Sequence, residues 1–304
     1  MVDMAKQPVY QCDVKRSRER ARKLQAYLTR KVAKSSTKTM VCDRYCDCKK
    51  SADKKGAAFF ESQGHSVGSH FDLFTESGTP LRVLVVPMEA GGGDKHTSAT
   101  TGGSAQPPGP DRDRYRTVRQ RTEVVRESGE MVFAQRNPHM QGVTLALQLA
   151  FGLPVEKQEQ LHFIDEHPAH VFDCFAMANL LLCSAVPKPG SHASFATSVM
   201  RKNCALHLAQ SVRILQPTLV ISQGWGLVDT LRQTFGTVGD IGSSENHRVL
   251  AECDLDGNRF IWVGLTHPAH GNWSRITSRE FQPIVAPAIR EGRQRALRLA
   301  ARTG

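Results

Sequence analysis

The chain has 304 residues, 40% of them hydrophobic, and a formal net charge of +11. That length suits one large or two modest domains with a real core. No apolar run reaches the roughly 18 residues needed to span a bilayer, so a helical membrane protein is not expected. The start of the chain lacks the apolar stretch of a secretory signal. Eight irregularly spaced cysteines fit a reducing compartment better than a disulfide framework, so a cytoplasmic location is expected.

The charge is unevenly placed. Met1–Gly56 carries 16 Lys/Arg against 6 Asp/Glu, and a second basic cluster lies at Arg290–Arg302. A charge run is ordinarily a solvated helix face. Clustering at both ends points instead to a polyanion, with nucleic acid preferred over an acidic membrane surface.

Val14–Val32 reads as a basic helix with Leu24, Tyr27, Leu28 and Val32 as a thin apolar stripe. Cys42, Cys46 and Cys48 follow within seven residues, flanked by charge, a pattern expected of a metal or cluster site. Zinc would be the default ion for an all-local site, but no fourth local ligand is evident. Leu81–Pro87 reads as a buried parallel strand, ending in a loop with Glu89, Gly91 and Gly92. That loop has neither Walker nor dinucleotide-binding spacing. Residues 94–118 read as a flexible insertion. Gly142–Gly152 has helical apolar spacing and a glycine stop.

The central stretch runs from an apolar strand at Phe175–Cys183, through a Pro/Gly/Ser loop, to a helix ending at Gln216-Pro217. A β-branched strand, Thr218–Ser222, and Gly224 follow. This is a parallel α/β unit. Arg248–Cys253 and Arg259–Leu265 flank Asp256-Gly257, a hairpin signature. The second of these strands delivers the loop Thr266–Trp273. Ser278–Ala301 reads as a closing helix interrupted by Pro283 and Pro287.

A strand ending in a Glu-bearing glycine loop, a strand reading Asn-x-x-x-Cys and a late strand ending in His-Pro occur in that order. Together with a helix headed by Cys204 before L-Q-P-T-L-V-I-S-Q-G, they resemble the uracil-DNA glycosylase superfamily. The closest branch is the iron–sulfur family 4 type. The resemblance covers Leu81–Trp273 and the cysteines near residue 45. It implies a three-layer αβα sandwich around a central, mostly parallel four-stranded sheet, with a basic N-terminal helical extension. The domains expected are a basic segment, 1–60, and a glycosylase-like α/β domain, 61–304.

Matched position by position, the resemblance makes Glu89 and His267 catalytic and Asn179 the reader of the base edge. It places His139, Gly91 and Gly92 around the base, and Asn272, Trp273 and Arg275 against DNA. A structural [4Fe–4S] cluster is implied on Cys183, Cys204 and two of Cys42, Cys46 and Cys48, with zinc less favoured. The sequence departs from the family at Met88 and Gly91, which replace a glycine and a proline. At Pro138-His139-Met140-Gln141 the family's base-stacking phenylalanine is missing, and the N-terminal cysteines are not spaced Cys-x-x-Cys.

The activity implied is that of a monofunctional, monomeric DNA glycosylase, which flips out a pyrimidine nucleotide and hydrolyses its N-glycosidic bond. No tyrosine guards the C5 position, where Gly92 stands. The expected base is therefore either uracil or a C5-modified cytosine (hydroxymethylated or glucosylated, implying defence against phage). Two rivals remain open at this point. One is a catalytically inactive iron–sulfur DNA-binding protein of the same fold; the other is a zinc-ribbon module fused to an unrelated α/β enzyme.

Overall fold

A computed structural model describes residues 8–32, 41–61, 65–87, 138–164, 167–186, 196–240, 248–269 and 273–303. The N-terminal part contains β1 (Val9–Cys12), α1 (Val14–Lys31), α2 (Tyr45–Asp53), β2 (Ala58–Glu61), β3 (Ser66–Val67), β4 (Leu73–Thr75), β5 (Pro80–Leu81) and β6 (Val83–Pro87). The middle contains α3 (Pro138–Ala150), β7 (Gln160–Phe163), β8 (Ala169–His170), β9 (Phe175–Met177), β10 (Cys183–Val186), α4 (Ser198–Leu215) and β11 (Leu219–Gln223). The chain closes with α5 (Val228–Phe235), β12 (Thr237–Asp240), β13 (Val249–Leu255), β14 (Asn258–Leu265) and α6 (Ala286–Thr303).

The expectation of a single, mostly parallel four-stranded sheet is corrected. A seven-stranded mixed sheet runs β12-β13-β14-β11-β6-β9-β3, beside a five-stranded sheet β5-β4-β1-β7-β8 and a β10-β2 pair. Most strand pairings are antiparallel; the parallel ones are β14-β11, β11-β6, β6-β9 and β1-β7. The apolar run at 175–183 is not one strand. It leaves the large sheet after Met177, and Cys183 opens β10 on a different partner, β2. A continuous apolar run carries no mark of the sheet in which each of its parts is buried.

Alternation along the strands divides the core. Val83, Val85, Phe175, Met177, Leu219, Ile221, Ile261 and Val263 face α3, α6 and the smaller sheet. Leu84, Ala176, Val220 and Trp262 face α1, α2, α4 and α5. Thr197 caps α4, its hydroxyl oxygen accepting from the Met200 N–H at 3.1 Å. The helix ends on Gln216 in the left-handed region (φ 47°), just before the proline. Asp256 (φ 54°) and Gly257 (φ 84°) make the tight β13-β14 turn. Pro283 sits in a π-helical turn, Phe281–Val285, that leads into α6.

The basic first helix is tied to distant parts of the chain. Arg20 is buried, and its Nε donates to both Asp72 carboxylate oxygens at 2.9 and 3.0 Å. Its terminal nitrogens donate to the Ile214 carbonyl at 2.8 Å and to Gln216 Oε1 at 3.1 Å. A guanidinium withdrawn from water requires this set of acceptors.

Candidate functional site

The parallel strands β9, β6, β11 and β14 end together. Gln223 is level with Pro87 on one side and Leu265 on the other. The amides of Ala178 and Leu180 donate to the carbonyls of Val85 and Pro87; this continues the ladder past β9 and sets Asn179 level with Pro87. Asn179, Pro87, Gln223 and Leu265 therefore form one row across the carboxyl edge. By alternation the row faces α3. Such an edge is where open α/β sheets place ligands.

Two side chains in this row are buried without being satisfied. Asn179 is 2% exposed and Gln223 is fully buried. Among the described residues, Asn179 Nδ2 and both polar atoms of Gln223 have no hydrogen-bond partner. Buried amides without partners are costly and few in folded proteins. Asn179 is nonetheless held firmly by its backbone, since its carbonyl oxygen accepts from His65 Nε2 at 2.9 Å. Burial pushes the His65 pKa down to about 4, so the ring is neutral at pH 7. With Nε2 carrying the proton, Nδ1 accepts from the Ser211 hydroxyl at 2.7 Å.

Beyond Leu265 the chain turns into the loop that carries His267. The Ala269 backbone N–H donates to His267 Nδ1 at 3.2 Å. A neutral ring so held bears its proton on Nε2, making that nitrogen a donor. The His139 ring on the first turn of α3 stacks on His267, with centroids 5.6 Å apart and planes 14° from parallel. Gly142 permits this approach. A Cβ there would lie 2.3 Å from Pro268 Cγ and 3.1 Å from Trp273 Cζ3. Trp273, expected against DNA, is fully buried, and its indole N–H donates to the Thr266 carbonyl at 2.9 Å. It anchors the loop from inside. Arg275 is exposed, and its backbone N–H donates to the Ser278 hydroxyl at 3.0 Å.

Asn179, His267 and His139 are thus assembled at or beside one edge, whereas Glu89, Gly91, Gly92 and Asn272 lie outside the described residues. Gln223 and His65 were not singled out by sequence reasoning. A polar residue closing an otherwise apolar strand, as in L-V-I-S-Q-G, was the available signal for Gln223. His65 offered none.

The cofactor expectation is corrected. Among the described residues, which include Cys42, Cys46, Cys48, Cys183 and Cys204, no group of three or more His, Cys, Asp or Glu is placed to hold a metal ion. This removes the implied [4Fe–4S] cluster, and zinc with it. The sulfurs have protein partners instead. Cys42 Sγ meets His207 Nε2 at 3.3 Å, and Cys48 Sγ accepts from Asn203 Nδ2 at 3.4 Å, while Cys46 is exposed. His207 Nδ1 is in turn 2.8 Å from the Tyr27 hydroxyl. Desolvation raises the pKa values of Cys42 and Cys48 and pushes Cys204 up to about 12. In this arrangement these are protonated thiols at neutral pH. None of the eight cysteines is in a disulfide.

A scan against protein-family models returned no match, and no curated protein matched the chain. Among the described residues, no helix is long and apolar enough to cross a membrane.

Proposed function

We propose that the protein is a monofunctional DNA glycosylase acting on a flipped-out pyrimidine nucleotide. The observation that carries this reading is that a buried amide on Asn179, unsatisfied among the described residues, and a His267 ring whose Nδ1 accepts from a backbone N–H lie at or beside one sheet edge. Hydrolysis of an N-glycosidic bond leaves an electron pair on the departing base while the sugar becomes cationic. Water then adds to the sugar carbon and loses a proton.

His267 Nε2–H suits the base oxygen on which negative charge develops, a role in which one donor is worth about 3 kcal/mol. Asn179 supplies a donor for the base edge. In this reading Glu89 orients the water or stabilises the sugar cation. The exposed Arg275 and the basic α1 and α6 hold the phosphate backbone of the duplex. The base is uracil or a C5-modified cytosine, because a glycine stands where a residue guarding C5 would be. The latter substrate would give the protein a role in defence against phage.

The test is incubation of the full chain with duplexes containing uracil, 5-hydroxymethylcytosine or its glucoside, scoring abasic sites. Release from one of them, reduced about 100-fold or more by His267→Ala, is the expected result. No release from any of the three, or full activity in the variant, overturns the reading.

A further inference from the structure

We infer that Gln223 is a second ligand-reading amide, acting with Asn179 on a small planar nitrogen heterocycle whose rim carries both hydrogen-bond donors and acceptors. The two residues lie in the same cross-strand row, separated only by Pro87 of β6. Two strand spacings put their backbones about 10 Å apart, a separation that one planar ring lying over Pro87 could bridge.

Gln223 is fully buried with its Nε2 and Oε1 both unsatisfied, and Asn179 Nδ2 is unsatisfied beside it. Leu219 and Ile221 precede Gln223 on the same face, and that face is apolar core. A leucine or methionine would fill this position without leaving any polar atom unpaired. Glutamine therefore makes sense there only if something beyond the described residues completes its hydrogen bonds, and a ligand bound at this edge would do so. Together the two amides ask the ligand for at least two acceptors and one donor. The rim of uracil meets this with two carbonyl oxygens and N3–H. Cytosine meets it with O2, N3 and its amino group. Taking the ring to be a nucleobase rests on the glycosylase reading; the amide pairing itself does not need the hydrolysis.

The experiment titrates the full-length protein with free uracil, free cytosine and free 5-hydroxymethylcytosine by calorimetry, for wild type, Gln223→Leu and Gln223→Met. The methionine variant is nearly isosteric, which guards against loss of fold; circular dichroism and melting temperature are recorded alongside. At least one base is expected to bind wild type, with binding weakened tenfold or more in both variants. The melting temperature of Gln223→Met is expected to be at or above that of wild type. Absence of binding to wild type, equal binding by the variants, or a lower melting temperature in both variants overturns the assignment. Base release from duplexes separates the two readings. Gln223-dependent binding without release removes the glycosylase reading and leaves this one standing, whereas release that is unchanged in Gln223→Met does the reverse.

Discussion

His65 Nε2 donates to the main-chain carbonyl of Asn179 at 2.9 Å. A fully buried imidazole therefore fixes the backbone of the residue whose side chain faces the candidate ligand. Because this histidine lies 114 positions from Asn179 in the chain, the edge is braced by a contact across the fold as well as by its own strand.

That brace has a defined pH dependence. The folded pKa of His65 is depressed to about 4 by burial, below the ordinary value of about 6.5. Between these values the unfolded chain binds the proton and the folded chain does not, so stability is complete above about pH 6.5 and falls as pH drops towards 4. The loss from this group is about 3 kcal/mol once pH is below both values. Urea titrations from pH 7.5 to 4 on wild type and His65→Gln check it. The variant should lose a large part of the pH slope, and an unchanged slope would exclude His65 as its source.

Gly142→Ala should disturb the site without touching a polar group. The added methyl would lie 2.3 Å from the rigid Pro268 ring, too close for ordinary packing. The expected cost is about 1–3 kcal/mol of stability. Displacing Pro268 also shifts His267, so base release should fall more than the loss of stability alone explains. Denaturant unfolding and single-turnover kinetics on the same preparation measure both effects. An unaltered rate would mean that the His139–His267 stack is not needed.

Asp72→Asn leaves the Arg20 charge buried with its main counter-ion neutralised. Breaking one side of such a pair costs about 3–5 kcal/mol. An unfolding free energy from chemical denaturation that falls by less than a quarter of that amount would show Arg20 to be well solvated. Replacing both residues together should cost less than the sum of the single changes, because the uncompensated charge is then absent.

Local chemistry made much of the large sheet readable in advance. The run L-R-V-L-V-V-P announces β6, the Asp256-Gly257 pair announces the hairpin, and Gln216-Pro217 marks the end of α4. The smaller sheet was not readable, since β1, β4, β7 and β8 are two to four residues long and pair across the chain. Such short segments carry too little periodicity to declare themselves. The cysteines misled for a related reason. Proximity of Cys42, Cys46 and Cys48 in sequence does not fix where their sulfurs point, and Cys42 and Cys48 turn to His207 and Asn203. The order of motifs singled out Asn179 and His267, which the fold places at or beside the carboxyl edge of the large sheet. Gln223 left only the trace of a polar residue closing an apolar strand; that its buried amide has no partner among the described residues is a property of the folded state.

The Arg20 clasp also bears on the order of assembly. Its acceptors are residues 72, 214 and 216, and β1 just before it needs residues 73–75 and 162–163 as neighbours. Asp72 and β4 lie close by in sequence, but the clasp on Arg20 and the pairing of β1 are complete only when residues 162–163 and 214–216 are also in place, so α1 is fully held only by contacts of long sequence separation.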